Sequence, residues 1–155
     1  AATLLSANLG TRIVTIDWGS FDTHGGQLAS QDPQLTVLGQ ALAAFQADLV
    51  ARGVETRVST LVFSEFGRRG GENASFGTDH GAGGPMMVLG SAVRGGLGGD
   101  VAPMNALDRG NLRVTTDFRS VYGALMGEWL GGDPGAILPG GPFPLARPGG
   151  ASLML

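Results

Sequence analysis

Only two histidines occur in the 155-residue chain, and each stands beside an aspartate in a glycine-rich stretch: Phe21-Asp22-Thr23-His24-Gly25-Gly26 and Gly77-Thr78-Asp79-His80-Gly81. Imidazole nitrogen and carboxylate oxygen together suit zinc, manganese or iron, and glycine lets loop backbone approach a small ion closely. The chain has no cysteine, so thiolate ligation and disulfide staples are excluded and any ligand must come from His, Asp or Glu. Glu65, in Ser64-Glu65-Phe66-Gly67-Arg68-Arg69, directly follows an apolar run, the place where an open α/β sheet puts functional carboxylates. The candidate metal ligands are therefore Asp22, His24, Glu65, Asp79 and His80, with Asp17 either joining them or capping its loop.

Each of these residues also has a plainer reading. A single Asp-His loop is more often a capped turn than a ligand pair. Two such pairs, each after a candidate strand, shift the balance toward a shared site. Glu65 could instead pair with Arg68 or Arg69, worth at most about 1 kcal/mol if exposed. Among Arg68, Arg69, Arg94 and Arg119, Arg68 is the best placed to clamp an anionic substrate through its planar fork. Ser64, Ser75 and Thr78 lie in no Gly-x-Ser-x-Gly elbow, and no third histidine is available for a conventional triad. All ten basic residues are arginine, so a P-loop, which requires lysine, is impossible.

The elements that must position these side chains can be read from periodicity. Residues 1–9 read as the end of a helix stopped by Gly10, and Arg12-Ile13-Val14-Thr15-Ile16-Asp17 reads as a buried strand. Asp32-Pro33 supplies an N-cap and a first-turn proline for a helix whose apolar stripe is Leu35, Leu38, Leu42, Phe45 and Leu49, ending near Gly53. Ser59-Thr60-Leu61-Val62-Phe63 is a second strand, so strand, helix, strand predicts a right-handed crossover and a parallel sheet. Both histidines fall in the loops after these strands, Asp17 to Gln27 and Ser64 to Gly84. Pro85 to Gly90 reads as a third strand, and the glycine-rich stretch to Asp100 as turns around a short hairpin. Asp117 caps a helix carrying Phe118, Val121, Tyr122, Leu125, Trp129 and Leu130, stopped at Gly131-Gly132-Asp133-Pro134. From residue 139 to 155 a Pro/Gly-rich tail packs on or trails from a single domain covering 1–155.

Composition narrows the function classes. With 43% hydrophobic and 15% charged residues the chain is a folding, globular type rather than a disordered one. A net charge of -3 without a basic patch excludes the electrostatics of nucleic-acid binding, and no apolar run is long enough to span a bilayer. No charged, apolar and cleavable segment of the targeting type is present.

Four motifs taken in order carry a family resemblance: Phe21-Asp22-Thr23-His24; Ser64-Glu65-Phe66-Gly67-Arg68 with Glu72-Asn73; Gly77-Thr78-Asp79-His80-Gly81; and Thr116-Asp117-Phe118-Arg119-Ser120-Val121-Tyr122. Together they resemble the C-terminal part of the bacterial exported family called domain of unknown function 1501. That family looks like a member of the alkaline phosphatase and sulfatase superfamily. The resemblance implies an α/β fold, a three-layer α/β/α sandwich with a mostly parallel sheet and a metal cluster at the strand ends. It also implies a periplasmic or extracellular location. By resemblance, Asp22 and His24 match the superfamily's first Asp-to-His motif, Glu65 the carboxylate of its Asp-His pair, and His80 its final histidine. Two departures stand out: the first motif is Asp-x-His rather than one with three intervening residues, and Phe66 stands where the pair's histidine would be. The nucleophile-bearing segment is absent from these residues, which suggests a C-terminal portion of a larger domain, with that missing segment as a partner.

The resulting expectation is a metal-dependent hydrolase of phosphate or sulfate esters. Zinc or manganese, or else calcium or magnesium, would act on an anionic ester substrate. The alternative is a catalytically inert module that retains the fold and binds a partner protein.

Overall fold

The long loop between two short strands is the feature around which the molecule is arranged. A computed structural model describes residues 1–145 and 151–155. Helix α1 covers Ala2–Ser6, α2 Gln27–Ala51, α3 Phe118–Ala124 and α4 Pro134–Ile137. A π-helical turn, Leu125–Trp129, extends α3. The strands are β1 Thr60–Val62, β2 Gly67–Arg68, β3 His80–Gly81 and β4 Met87–Leu89. β1 pairs antiparallel with β4 in the register Thr60↔Leu89, Leu61↔Val88, Val62↔Met87, which pins both ends of the loop between them. Within that loop β2 pairs antiparallel with β3, setting Arg68 opposite His80 and Gly67 opposite Gly81. A turn at Asp108 and Asn111 braces this inner ladder: Asn111 bridges to Arg69, Gly70 N–H donates to Gly110 O at 3.1 Å, and Asn111 Oδ1 accepts from Ala82 N–H at 3.2 Å.

Helix α2 starts five residues before the expected cap, with Gly26 in the left-handed region and Pro33 inside the helix. Its first amide groups lack a side-chain cap, and the other loop supplies the acceptors: Gly26 N–H donates to Ser75 O and Gln27 N–H to Phe76 O, both at 2.9 Å. Those tertiary acceptors satisfy donors that a helix start otherwise leaves orphaned, so the helix tolerates the hydrogen bond that Pro33 cannot make. At the other end Leu49 is fully buried and packs with Ala2 and Val54, flanked by Phe45 and Val58. The predicted apolar stripe is therefore core at its C-terminal end, whereas Leu35 is 48% exposed.

Two local expectations are corrected. Arg12 to Asp17 lies outside every strand, makes no backbone–backbone hydrogen bond among the described residues, and exposes Ile13 and Ile16, because a β-prone segment becomes a strand only when a ladder partner is present. The stretch after Gly90 does not fold on itself as a hairpin. It turns at Gly90 to Val93 and then takes the C-terminus as its partner: Arg94 N–H donates to Leu153 O at 2.8 Å, Leu155 N–H donates to Ala92 O at 2.9 Å, and Leu153 and Met154 are buried. The end of the Pro/Gly-rich tail is thus packed, while its residues 146–150 lie outside the described residues. Among the described residues no helix is long and apolar enough to cross a membrane.

The accessible surface is 9883 Å², against roughly 7,300 Å² for a folded monomer of this mass by the usual scaling. With so little buried, individual core contacts carry a large share of stability. Replacing Leu49 by Ala is expected to cost about 2–4 kcal/mol in urea unfolding, whereas Leu28→Ala, at 82% exposed, should shift it by less than about 0.5 kcal/mol. At the start of α3, Asp117 accepts hydrogen bonds from Arg119 N–H at 2.9 Å and from its guanidinium, and the guanidinium holds the Asp117 carboxyl at about 2, below its ordinary 3.8. This contribution is complete above 3.8 and is lost as pH falls toward 2. Asp117→Asn should therefore lose less stability than the parent chain over that acid interval, as measured by thermal melting at each pH.

Candidate metal centre

The two Asp-His loops meet because glycine removes the side chains that would hold them apart. Gly77 sits against the backbone of His24, so closely that a Cβ at position 77 would collide with the His24 carbonyl oxygen. A Cβ on Gly81 would likewise collide with the Arg68 backbone across the β2–β3 ladder, and one on Gly67 with the Gly83 carbonyl. Arg68 clips the assembly: its guanidinium donates to Thr78 O in one loop and, at 2.5 Å, to Phe21 O in the other. Thr78 Oγ1 also donates to Gln27 Oε1 at 2.9 Å, joining the second loop to the start of α2.

This scaffold brings three of the five expected ligands together. Asp22 Oδ1 lies 2.9 Å from His24 Nε2 and 2.7 Å from His80 Nε2, so one carboxylate oxygen serves both imidazoles. The two rings are 4.8 Å apart between centroids. One ligand atom from each of Asp22, His24 and His80 falls within 4.8 Å of the others, and all three side chains are about half exposed. The Asp22 carboxyl is held below its ordinary value, chiefly by the hydrogen bond from His80. Partial desolvation opposes this, and the charges of both imidazoles add to it. That contact contributes stability present above 3.8 and lost as pH falls below it.

The other two expected ligands are placed differently. Asp79 Oδ1 stands 3.8 Å from His24 Nδ1, the ring nitrogen that Asp22 does not approach. Among the described residues, Glu65 contributes no ligand atom to the cluster, is exposed, and accepts only from its neighbour Ser64 Oγ at 3.5 Å. Arg68, expected to bind substrate, has two guanidinium nitrogens engaged with backbone carbonyls and lies 4.8 Å from the centroid of Phe66. Phe66 in turn stacks on His80, with centroids 4.0 Å apart and planes inclined by 13°. Neither this stack nor the role of Asn73, whose Nδ2 donates to His24 O at 3.0 Å and to Asp79 Oδ1 at 3.1 Å, was legible from residue types. The usable hint was an asparagine in a glycine-rich turn, a residue whose side chain commonly bonds to backbone two positions on.

The model of the family described as "Protein of unknown function (DUF1501)" matches residues 2–105, more than half of the chain and including all of these site residues. The chain belongs to that family. No curated protein and no solved structure matches it.

For this DUF1501 chain the donor set can be tested against a cation. Ligand atoms about 2.0–2.2 Å from a tetrahedral zinc ion stand roughly 3.3 Å apart. The Asp22–imidazole separations of 2.7 and 2.9 Å are those of hydrogen bonds and would open by about half an ångström, while the widest separation in the cluster, up to 4.8 Å, would close by about 1.5 Å, movements open to exposed side chains on two loops. A donor set of two imidazole nitrogens and one carboxylate therefore suits a borderline-soft divalent cation better than calcium, which takes six to eight oxygens.

The close approach at Gly77 is itself open to test. Gly77→Ala is expected to destabilise the chain by about 1–3 kcal/mol through the forced separation from His24. Gly71→Ala, where a Cβ meets nothing within 4 Å, should leave the melting temperature unchanged.

Proposed function

We propose that this DUF1501 chain is the metal-binding part of a hydrolase of phosphate or sulfate esters, with Asp22, His24 and His80 holding one divalent cation. The observation that carries the proposal is the single carboxylate oxygen of Asp22 placed between two imidazole Nε2 atoms. Two imidazoles and a carboxylate are the donor set of catalytic zinc and of related manganese and iron sites, and three protein ligands leave a coordination position open. A cation held there would polarise an ester oxygen and lower the pKa of a bound nucleophile. The chain's own residues do the positioning. Asp22 and His24 on one loop face His80 on the other, the stacked Phe66 fixes the plane of His80, and Arg68 keeps the loops in register.

On this reading the chain is the C-terminal portion of an alkaline-phosphatase-like three-layer α/β/α domain. A nucleophile from a segment outside these 155 residues completes the site. The exposed, unpaired Ile13 and Ile16 and the surplus of accessible surface are compatible with further strands alongside. A second reading, a catalytically inert module that binds a partner protein, is favoured by one observation: an aromatic ring, Phe66, lies flat on His80 where the superfamily resemblance would put another ligand.

Elemental analysis of the natively purified chain is expected to find close to one equivalent of zinc, manganese or iron, and His24→Ala/His80→Ala should lose it. Absence of metal from the parent chain would remove the hydrolase reading. Hydrolysis of an aryl phosphate or aryl sulfate by the protein with its preceding segment would count against the inert module.

A further inference from the structure

Asn73 makes every hydrogen bond its side chain can make, and it spends them on both halves of the site. Nδ2 donates to His24 O at 3.0 Å and to Asp79 Oδ1 at 3.1 Å. Oδ1 accepts from Ser75 N–H at 2.9 Å and from Gly77 N–H at 3.1 Å. Its backbone closes the same turn, donating to Gly77 O at 2.8 Å and accepting from Phe76 N–H at 3.2 Å. The orientation of the carboxamide is fixed by this network. Rotated by half a turn, it would face two oxygens with an oxygen and two N–H groups with an NH₂.

The acceptor that Asn73 holds matters more than their number. Asp79 Oδ1, the atom bonded to Asn73, is the one 3.8 Å from His24 Nδ1. His24 presents its other nitrogen, Nε2, to Asp22. An imidazole that offers one nitrogen to a metal characteristically directs its second N–H at a carboxylate, which fixes the tautomer and raises the basicity of the ligating nitrogen. Asp79 stands beside that second place, 3.8 Å from Nδ1 and just beyond hydrogen-bond distance, and Asn73 keeps it there while tying the His24 backbone to the same carboxamide.

We infer that Asn73 is a positioning residue of the metal centre. It sets the Asp79 carboxylate behind His24 and thereby controls how tightly, and in what geometry, His24 Nε2 holds a cation. The inference rests on the proposed metal site. It assigns Asp79 to orienting His24 rather than to ligation, and it gives the Gly-rich turn from 73 to 77 a chemical consequence.

The discriminating substitution is Asn73→Asp, which keeps an acceptor for Ser75 and Gly77 N–H but puts a second oxygen against Asp79 and the His24 carbonyl. Cobalt(II) is a suitable probe, since its visible absorption reports coordination geometry while titration reports affinity. Thermal melting of the metal-free chain reports the turn. Asn73→Asp is expected to melt within a few degrees of the parent. It should bind cobalt(II) about 10–100-fold more weakly with displaced absorption bands, the range typical of outer-sphere partners, and Asp79→Asn should show the same weakening. Parent-like affinity and spectrum in both variants would overturn the role of Asn73 while leaving the metal site standing. So would a large loss of melting temperature in metal-free Asn73→Asp, since the residue would then be only a turn former. Failure of the parent chain to bind cobalt(II) would overturn the metal site and this inference together.

Discussion

The close approach of two loop backbones, permitted by the missing side chain of Gly77, is the constraint on which the rest of the site depends. His24 and Gly77 touch through main-chain atoms, and nothing larger than hydrogen fits between them. Once that contact is made, Asp22 and His24 on one loop face Asp79 and His80 on the other. The hydrogen bonds from Gly26 and Gln27 to Ser75 and Phe76 then start helix α2. The same contact therefore sets both the chemistry and the first turn of the longest helix. Glycine loses more conformational freedom on folding than any other residue. Concentrating it in these loops makes sense only where close approach is needed, and Gly67, Gly77 and Gly81 each meet backbone at a distance no Cβ permits.

Holding such loops together falls to polar contacts more than to a hydrophobic core. The described core is a small cluster around Leu49 at the far end of α2, and much apolar surface remains in contact with water. At the site, Arg68 fastens Phe21 and Thr78, Asn73 fastens His24 and Asp79, and the β2–β3 ladder fastens Arg68 to His80. Each such bond contributes only about 1 kcal/mol net in a solvated setting. Their value lies in direction: a guanidinium fork or a carboxamide accepts few geometries, so a handful of them define one arrangement of exposed loops.

What the sequence made legible follows from what is local. The helices around Leu42 and Tyr122, the strand at Thr60 to Val62, and the pairing of each histidine with an aspartate could be read because periodicity and neighbouring residue types express them directly. Membership of the DUF1501 family was legible for the same reason, through short motifs in order. The start of α2 was not, because its cap comes from a loop some fifty residues away rather than from Asp32. Nor was the fate of Arg12 to Asp17, since strand propensity states a preference and only a partner realises it. Within the site, Glu65 and Asp79 carry carboxylates just as Asp22 does. What separates them is which atoms the β2–β3 register turns toward the imidazoles, a three-dimensional fact with no one-dimensional signature.

The shared oxygen of Asp22 also fixes how the site must respond to a cation. One carboxylate oxygen accepting from two Nε2 atoms is a stable arrangement only while both nitrogens carry protons. A cation bound as proposed would require the lone pairs of those nitrogens, so its entry would displace their protons and its affinity would rise with pH. The exposure of all three side chains lets both exchanges reach solvent without opening the fold. His24 Nδ1, which faces Asp79 at 3.8 Å, lies outside that exchange. On the proposed reading, the carboxylates at the two nitrogens of one ring would divide the work: Asp22 would give up its hydrogen bonds to become a ligand, and Asp79 would keep the ring turned so that it can.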